Sequence, residues 1–271
     1  MSHDPTRAPK ITGLAELASL AEQAVDAARA EILPRFRRVD VETKADGSPV
    51  TEADRAAEQA IRRVLQAGDP DAAILGEEFG AEGDPRTGSA WVIDPIDGTI
   101  AFSRGIPLFS TLVARLEDGV PVLGVIDLPA LGERTVGWTG GGVRRNGEPV
   151  RCSSATDLRQ AMIAHGDGFC FERAREQDGF VRMARELPFF RGYTDGFGHA
   201  QVLSGAVDAM VDLDLNPWDC AATQALVPAA GGRCVTIEYP HLGKVGLVFG
   251  APALVEQLLG FLHHKPSGPS A

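Results

Sequence analysis

One stretch constrains this chain more than any other: Trp91-Val92-Ile93-Asp94-Pro95-Ile96-Asp97-Gly98-Thr99. An apolar strand, residues 90–93, runs straight into two aspartates three positions apart, and a glycine and a threonine follow at once. Carboxylates at a strand end, beside a tight turn of backbone N–H groups, suit a hard divalent cation and a phosphate. The plainer reading is an Asp-rich turn after a buried strand, which is a common arrangement. Other acidic segments weigh against that plainer reading.

The first is Glu77, in Ile74-Leu75-Gly76-Glu77-Glu78, again at a strand end. Alone it reads equally well as one of two solvated glutamates before a loop. The second is Thr51-Glu52-Ala53-Asp54, which has nearly the form of a helix capping box. Taken alone it favours that structural role, yet a capped helix start can still present its carboxylate to a site. The third is Trp218-Asp219-Cys220-Ala221-Ala222, where Asp219 falls in the first turn of a helix and is favoured by the dipole. Glu77, Asp94, Asp97 and Asp219 together are far more specific than any member. Four carboxylates cannot crowd together unpaired, because repulsion would raise their pKa values or drive them apart. Two or three Mg²⁺ ions would resolve that conflict, since magnesium takes a few carboxylates plus waters and substrate phosphate. A pair of such ions can activate a water and stabilise a leaving oxygen.

The surrounding pattern is α/β. Apolar residues at helical spacing predict a helix over 13–33, ended by Pro34, and a second after Thr51, stopped by Gly68-Asp69-Pro70. Strands are predicted at 72–75, 108–116, 120–126, 135–138 and 142–144, with Asp118-Gly119 as a hairpin turn and a further turn at Asn146-Gly147. Beyond residue 152 strands near 161–164, 189–191, 207–211, 233–237 and 246–249 alternate with helices near 172–186, 196–205, 218–230 and 252–263. We expect an N-terminal α+β half over 1–152 that carries most of the acidic motifs. A C-terminal α/β half over 153–265 carries Asp219, and a disordered tail follows at 266–271.

Net charge is −11, which argues against nucleic acid as a main partner but not against a small phosphate ester bound through metal. The four cysteines stand far apart, so neither a zinc site nor a disulfide scaffold is expected. No apolar run approaches a membrane span, and the first residues lack a basic n-region and an apolar h-region; the expectation is a soluble cytoplasmic chain with no membrane partner.

Asp94-Pro-Ile-Asp97-Gly-Thr99 and Trp218-Asp219-Cys-Ala-Ala, with Gly76-Glu77-Glu78 before them, resemble the inositol monophosphatase superfamily of Mg²⁺-dependent, lithium-sensitive phosphatases. The match runs from about Leu14 to Leu262, in the family's order and spacing. It implies an αβαβα sandwich of the inositol monophosphatase/fructose-1,6-bisphosphatase type, usually a homodimer, that hydrolyses a small phosphomonoester. By that resemblance Glu77, Asp94 and the Ile96 carbonyl hold a first Mg²⁺, and Asp94, Asp97 and Asp219 a second; a weaker third ion lies near Glu77. Asp54 and Thr99 orient and deprotonate the attacking water, and the Gly98 and Thr99 N–H groups bind phosphate oxygens. Lys44 falls near the family's metal-proximal lysine. Attack is direct, without a phosphoenzyme, and rests on positioning and charge stabilisation.

Within the superfamily several segments look like the histidinol-phosphatase branch. They are residues 35–37 and 41–54, Gly76-Glu77-Glu78-Phe79-Gly80, Phe102-Ser103-Arg104-Gly105-Ile106-Pro107, residues 129–134 and Arg191-Gly192-Tyr193-Thr194-Asp195. Ile100 departs from that branch, which often has a lysine after Asp-Gly-Thr. In the family the residue seven before the last metal aspartate reaches the organic part of the substrate; here it is Asp212. Asp195 falls at another substrate-contacting position. Histidinol phosphate carries an amine and an imidazole that acidic partners suit. Asp212 alone discriminates little, since the inositol branch also has an acid there, and Asp195 also reads as a turn aspartate. Arg104 reads as a phosphate contact, a dimer contact or a structural arginine, and His199 as a helix-packing histidine. The alternatives are an inositol-1-monophosphatase or broad sugar-phosphate phosphatase, a 3′-nucleotide phosphatase, and a non-catalytic metal-binding or regulatory protein on the same fold.

Overall fold

The computed structural model describes residues 13–38, 41–43 and 49–264; Lys44 and the expected tail lie outside these. In chain order the elements begin with α1 (Leu14–Arg35), β1 (Val41–Thr43), β2 (Pro49–Thr51), α2 (Glu52–Gly68), β3 (Ala73–Gly76), β4 (Gly80–Glu82), β5 (Ser89–Asp97) and α3 (Thr99–Ser103). There follow β6 (Ser110–Glu117), β7 (Val120–Leu128), β8 (Glu133–Trp138), β9 (Gly142–Arg145), β10 (Glu148–Val150), β11 (Met162–His165), α4 (Gly168–Arg173) and α5 (Gln177–Glu186). The chain ends with β12 (Phe189–Gly192), α6 (Asp195–Leu203), β13 (Ala209–Leu215), α7 (Pro217–Ala229), β14 (Arg233–Tyr239), β15 (Lys244–Gly250) and α8 (Pro252–Leu259).

Two large sheets organise these elements. One has eight strands in the order β10-β9-β8-β7-β6-β5-β3-β4, the other five in the order β12-β11-β13-β15-β14. Side chains alternate along a strand, so each sheet presents a separate apolar set on each face. Trp91 and Ile93 of β5 join Val113, Leu123 and Val125 against Ala24, Ala28 and Ile32 of α1 and Ala57, Ile61 and Leu65 of α2. Ala90 and Val92 face the other way, with Leu112, Ala114 and Ile126, onto Val202 and Leu203 of α6 and Ala222 and Leu226 of α7. Met210, Leu247 and Phe249 of the smaller sheet close that middle core from its far side. Val211, Val248, Val235 and Ile237 point outward to Phe171, Met183, Leu254 and Leu258 on α4, α5 and α8. The result is the five-layer αβαβα sandwich expected. Each fully buried Leu, Ile or Phe contributes about 1.5–3 kcal/mol to it.

α7 sits tight between the sheets because Gly124 has no side chain: a Cβ there would stand 2.6 Å from the Ala222 carbonyl oxygen. The expected hairpin at Asp118-Gly119 and turn at Asn146-Gly147 form, and the second also closes a hairpin, between β9 and β10. Asp118 and Gly119 have φ of 49° and 78°, Asn146 and Gly147 49° and 85°, the positive pair that a two-residue turn between twisted strands requires. The helix predicted over 172–186 is in fact two, α4 and α5, broken where Arg175 takes φ 60°. The break turns Glu176 inward, fully buried, where its carboxylate accepts from the N–H groups of His263 and His264. α1 runs through Pro34 to Arg35 before it stops. The short β4 and α3 had no sequence counterpart, and β13 extends four residues beyond its predicted end, through Asp212 and Asp214. Among the described residues no helix is long and apolar enough to cross a membrane.

Candidate active site

Residues three apart on a regular strand face opposite sides of a sheet. Asp94 and Asp97 escape that rule through a bulge. Asp94 pairs with Leu112 and Asp97 with Ser110, so β5 carries one more residue than its partner strand. The insertion at Pro95-Ile96 brings both carboxylates to one place. Asp219 reaches them from the first turn of α7, held by its own cap: its Oδ2 accepts from the Asn216 backbone N–H at 2.7 Å. One carboxylate oxygen each of Asp94, Asp97 and Asp219 lies within 4.8 Å of the others. Glu77 lines the same cleft from the turn after β3.

The electrostatics express that crowding. Burial, followed by repulsion from Glu77, Asp97 and Asp219, holds the Asp94 carboxyl well above the usual range. Asp97 is pushed well above it by burial and then by Asp195 and Asp219, although hydrogen bonds from Ser110 and the Gly196 N–H oppose the shift. Asp219 is raised to about 7, chiefly by burial. Asp94 is 2% exposed, and its Oδ1 has no hydrogen-bond partner. A buried, unsatisfied oxygen is costly unless a partner supplies what is missing. An all-oxygen donor set with that deficit fits a hard cation.

Asp54 forms the expected capping box. Its Oδ2 accepts from the Thr51 N–H at 2.7 Å and the Thr51 hydroxyl at 2.6 Å. That leaves Oδ1 facing Thr99, whose hydroxyl is 3.5 Å away and also donates to the Ile96 carbonyl at 3.0 Å. Burial raises the Asp54 pKa against the pull of those Thr51 bonds, and Glu77 adds to the rise. Gly98 has φ 81°, a conformation that glycine adopts without strain, and it starts α3 beside the two aspartates. A Cβ on Gly98 would stand 3.2 Å from Asp195 Oδ2, so Asp195 lies directly against this turn. Asp195 itself takes φ 58°, and the next N–H, of Gly196, donates to Asp97 Oδ2 at 2.5 Å. Burial and the nearby Asp212 raise the Asp195 carboxyl, while the Thr194 hydroxyl draws it down.

Asp212 also lines the cleft. The structure therefore brings Glu77, Asp94, Ile96, Asp97, Gly98, Thr99, Asp195, Asp212 and Asp219 around one cavity, with Asp54 behind Thr99. Arg104 is exposed at the end of α3 and is not among the lining residues, and Ile100 is exposed at the cleft's mouth.

Several contributors escaped the sequence reading. Asp167, Cys170 and Asp214 line the cavity. Asp214 lies two residues beyond Asp212 on the same strand, and that spacing was a usable signal. Cys170 is not a nucleophile of the thiolate kind, because burial pushes its thiol up to about 12. Ser110 steadies Asp97 from the opposite strand at 2.7 Å. Glu58, fully buried, accepts from the Glu78 and Phe79 N–H groups at 2.7 and 3.3 Å and pairs with Arg62 at 2.8 Å, so it clamps the turn that carries Glu77. Its signal was an acid and an arginine at i, i+4 on an otherwise apolar helix face.

Comparison with known proteins places this geometry among relatives. The model of the inositol monophosphatase family matches residues 13–260. A histidinol-phosphatase from Streptomyces coelicolor is 37% identical over 261 residues, covering 91% of this chain and 96% of that protein. A fructose-1,6-bisphosphatase/inositol-1-monophosphatase from Thermotoga maritima is 36% identical over 208 residues, 74% of this chain and 77% of that protein. A solved inositol monophosphatase from Zymomonas mobilis superposes with a TM-score of 0.79 at 32% identity, over 93% of this chain and 99% of that one.

Proposed function

This chain belongs to the inositol monophosphatase family and is a phosphomonoesterase, and we propose that it is a Mg²⁺-dependent histidinol-phosphatase, releasing L-histidinol and phosphate from L-histidinol phosphate. The observation that carries the substrate choice is the pair of carboxylates, Asp195 and Asp212, that face the cleft next to the acidic cluster. A protonated amine and imidazole find charge-assisted partners there. The Streptomyces coelicolor histidinol-phosphatase supports the same choice.

The acidic cluster fits the metal on its orphaned Asp94 Oδ1 and its all-oxygen donors. Glu77, Asp94 and the Ile96 carbonyl would hold one Mg²⁺, and Asp94, Asp97 and Asp219 a second; a third would lie near Glu77. When bound, the ions supply positive charge that lowers the pKa of water and stabilises the leaving oxygen. The protein's own groups do the positioning. Gly98 and Thr99 N–H groups hold phosphate oxygens at the start of α3. Thr99 Oγ1 orients the attacking water, and Asp54 Oδ1 takes its proton. The raised Asp54 pKa makes it a better base near neutral pH. Water oxygen bonds to phosphorus as the phosphorus–ester oxygen bond breaks, and the leaving oxygen takes its proton from solvent water. No side chain is phosphorylated. By analogy with the family we expect a homodimer, and cytoplasmic placement follows from the proposed substrate.

The runner-up is an inositol-1-monophosphatase or a broad sugar-phosphate phosphatase. The Thermotoga maritima relative and Asp212, which suits a hydroxyl as well as a cation, both favour it. The deciding experiment compares kcat/KM on L-histidinol phosphate and myo-inositol 1-phosphate with Mg²⁺. A preference of ~100-fold for histidinol phosphate, about 2.7 kcal/mol of transition-state discrimination, is expected. Equal rates, or a preference for the inositol ester, would refute the substrate assignment and leave the phosphatase.

A further inference from the structure

His199 is 1% exposed, yet both of its ring nitrogens are engaged with polar side chains. Nε2 lies 3.0 Å from Asp212 Oδ2, and Nδ1 lies 2.6 Å from the Thr223 hydroxyl. A carboxylate oxygen only accepts, so Nε2 carries a proton and donates to Asp212; in the neutral ring Nδ1 is then the acceptor for the Thr223 hydroxyl. The ring packs edge-on against Phe249, with centroids 4.8 Å apart. The three partners come from three elements. His199 lies one turn after Asp195 on α6, Thr223 one turn after Asp219 on α7, and Asp212 at the bulged end of β13.

We infer that His199 and Thr223 are positioning residues that fix the Asp212 carboxylate toward the substrate's organic group and so set which leaving group the enzyme accepts. Asp212 needs such a hold. It stands 5% exposed in a cleft it shares with Asp195 and Asp214, and like charges favour rotating it away. Its Oδ1 lies over Gly166, where any side chain would collide with it, and Oδ2 is the oxygen that His199 holds. The relay also joins the helix bearing Asp219 to the strand bearing Asp212. It thereby fixes the distance between the phosphate end and the organic end of the cleft. The sequence reading treated His199 as a packing residue; packing is half of its part.

The inference rests on the reading of this cleft as a phosphomonoesterase site with the leaving group against Asp212. Its test uses the full-length holoenzyme and three variants, His199→Phe, His199→Gln and Thr223→Val. Each is assayed on L-histidinol phosphate, myo-inositol 1-phosphate and p-nitrophenyl phosphate, and each is melted beside the wild type. His199→Phe keeps the ring packing and loses the N–H. On the ester that the wild type prefers it should lose ~100-fold in kcat/KM, carried mainly by KM, with less than about 3-fold on p-nitrophenyl phosphate. His199→Gln, which restores a donor, should recover most of the loss. Thr223→Val, which changes no volume, should lose ~10-fold on the same ester. Equal losses on all three substrates, or none, in variants that melt with the wild type would overturn the inference. Because it is read on whichever ester the wild type prefers, failure of the histidinol phosphate assignment is a separate outcome.

Discussion

Asp94→Asn should make the metal-free protein more stable while it abolishes turnover. Burial and three neighbouring carboxylates raise the Asp94 carboxyl well above its unfolded value, and Asp219 is raised to about 7. The folded metal-free chain therefore holds protons that the unfolded chain releases above ~pH 4. Stability falls as pH rises through that window, because the folded state binds more protons there. Each such proton costs about 1.4 kcal/mol per pH unit, so a carboxyl raised to about 7, as Asp219 is, costs up to ~3 kcal/mol between pH 5 and 7, and Asp94 is shifted in the same direction. Asparagine carries no proton to hold and repels none of its neighbours. At ~2–4 °C per kcal/mol for a chain of this size, EDTA-treated Asp94→Asn should melt up to ~6–12 °C above the wild type at pH 7, with little difference at pH 5. Circular dichroism melts at both pH values measure this directly. Saturating Mg²⁺ should raise the wild type by the ~2.7 kcal/mol expected at one hundred times Kd, and the variant far less. A variant that melts with or below the metal-free wild type at pH 7 would refute the claim that charge crowding at this site is relieved only by a cation.

Three further outcomes are expected. Asp54→Asn keeps the helix cap's geometry but loses the base, so steady-state phosphate release should show kcat down ~10²–10⁴-fold with KM little changed. Glu58→Gln breaks the buried pair with Arg62 and loosens the turn holding Glu77; the Mg²⁺ concentration for half-activity should rise ~10-fold or more, and stability in urea titration should drop by ~3 kcal/mol. Gly124→Ala forces a methyl against the Ala222 carbonyl and should destabilise by about 1–3 kcal/mol in urea titration, with helix α7 and Asp219 displaced.

Much of this was legible because the chemistry sits where sequence signals are strongest. Glu77, Asp97 and Asp219 stand at the ends of elements, next to apolar runs or caps with clear periodicity. The mixed α/β character of the C-terminal half followed from alternating strands and helices, and the layer order from the family resemblance. What sequence could not show was how residues i and i+3 of a strand meet: the bulge at Pro95-Ile96 is a matter of register against β6. The break at Arg175 was invisible for a similar reason, since the partners that reward Glu176 for turning inward lie near the chain's end. Glu58, His199 and Thr223 read as ordinary helix residues. Their partners come from elements 13 or more residues away, and only packing brings them within hydrogen-bond reach.

The acidic cluster is central as a metal site that does phosphoryl chemistry. The most direct test strips the wild type and Asp94→Asn with EDTA, returns Mg²⁺ in steps, and follows phosphate release from L-histidinol phosphate. Turnover that is absent without metal, saturates with Mg²⁺ in the wild type and stays at least ~10³-fold lower in the variant is the predicted result. Phosphate release that survives EDTA, or persists in Asp94→Asn at the wild-type rate, would contradict it.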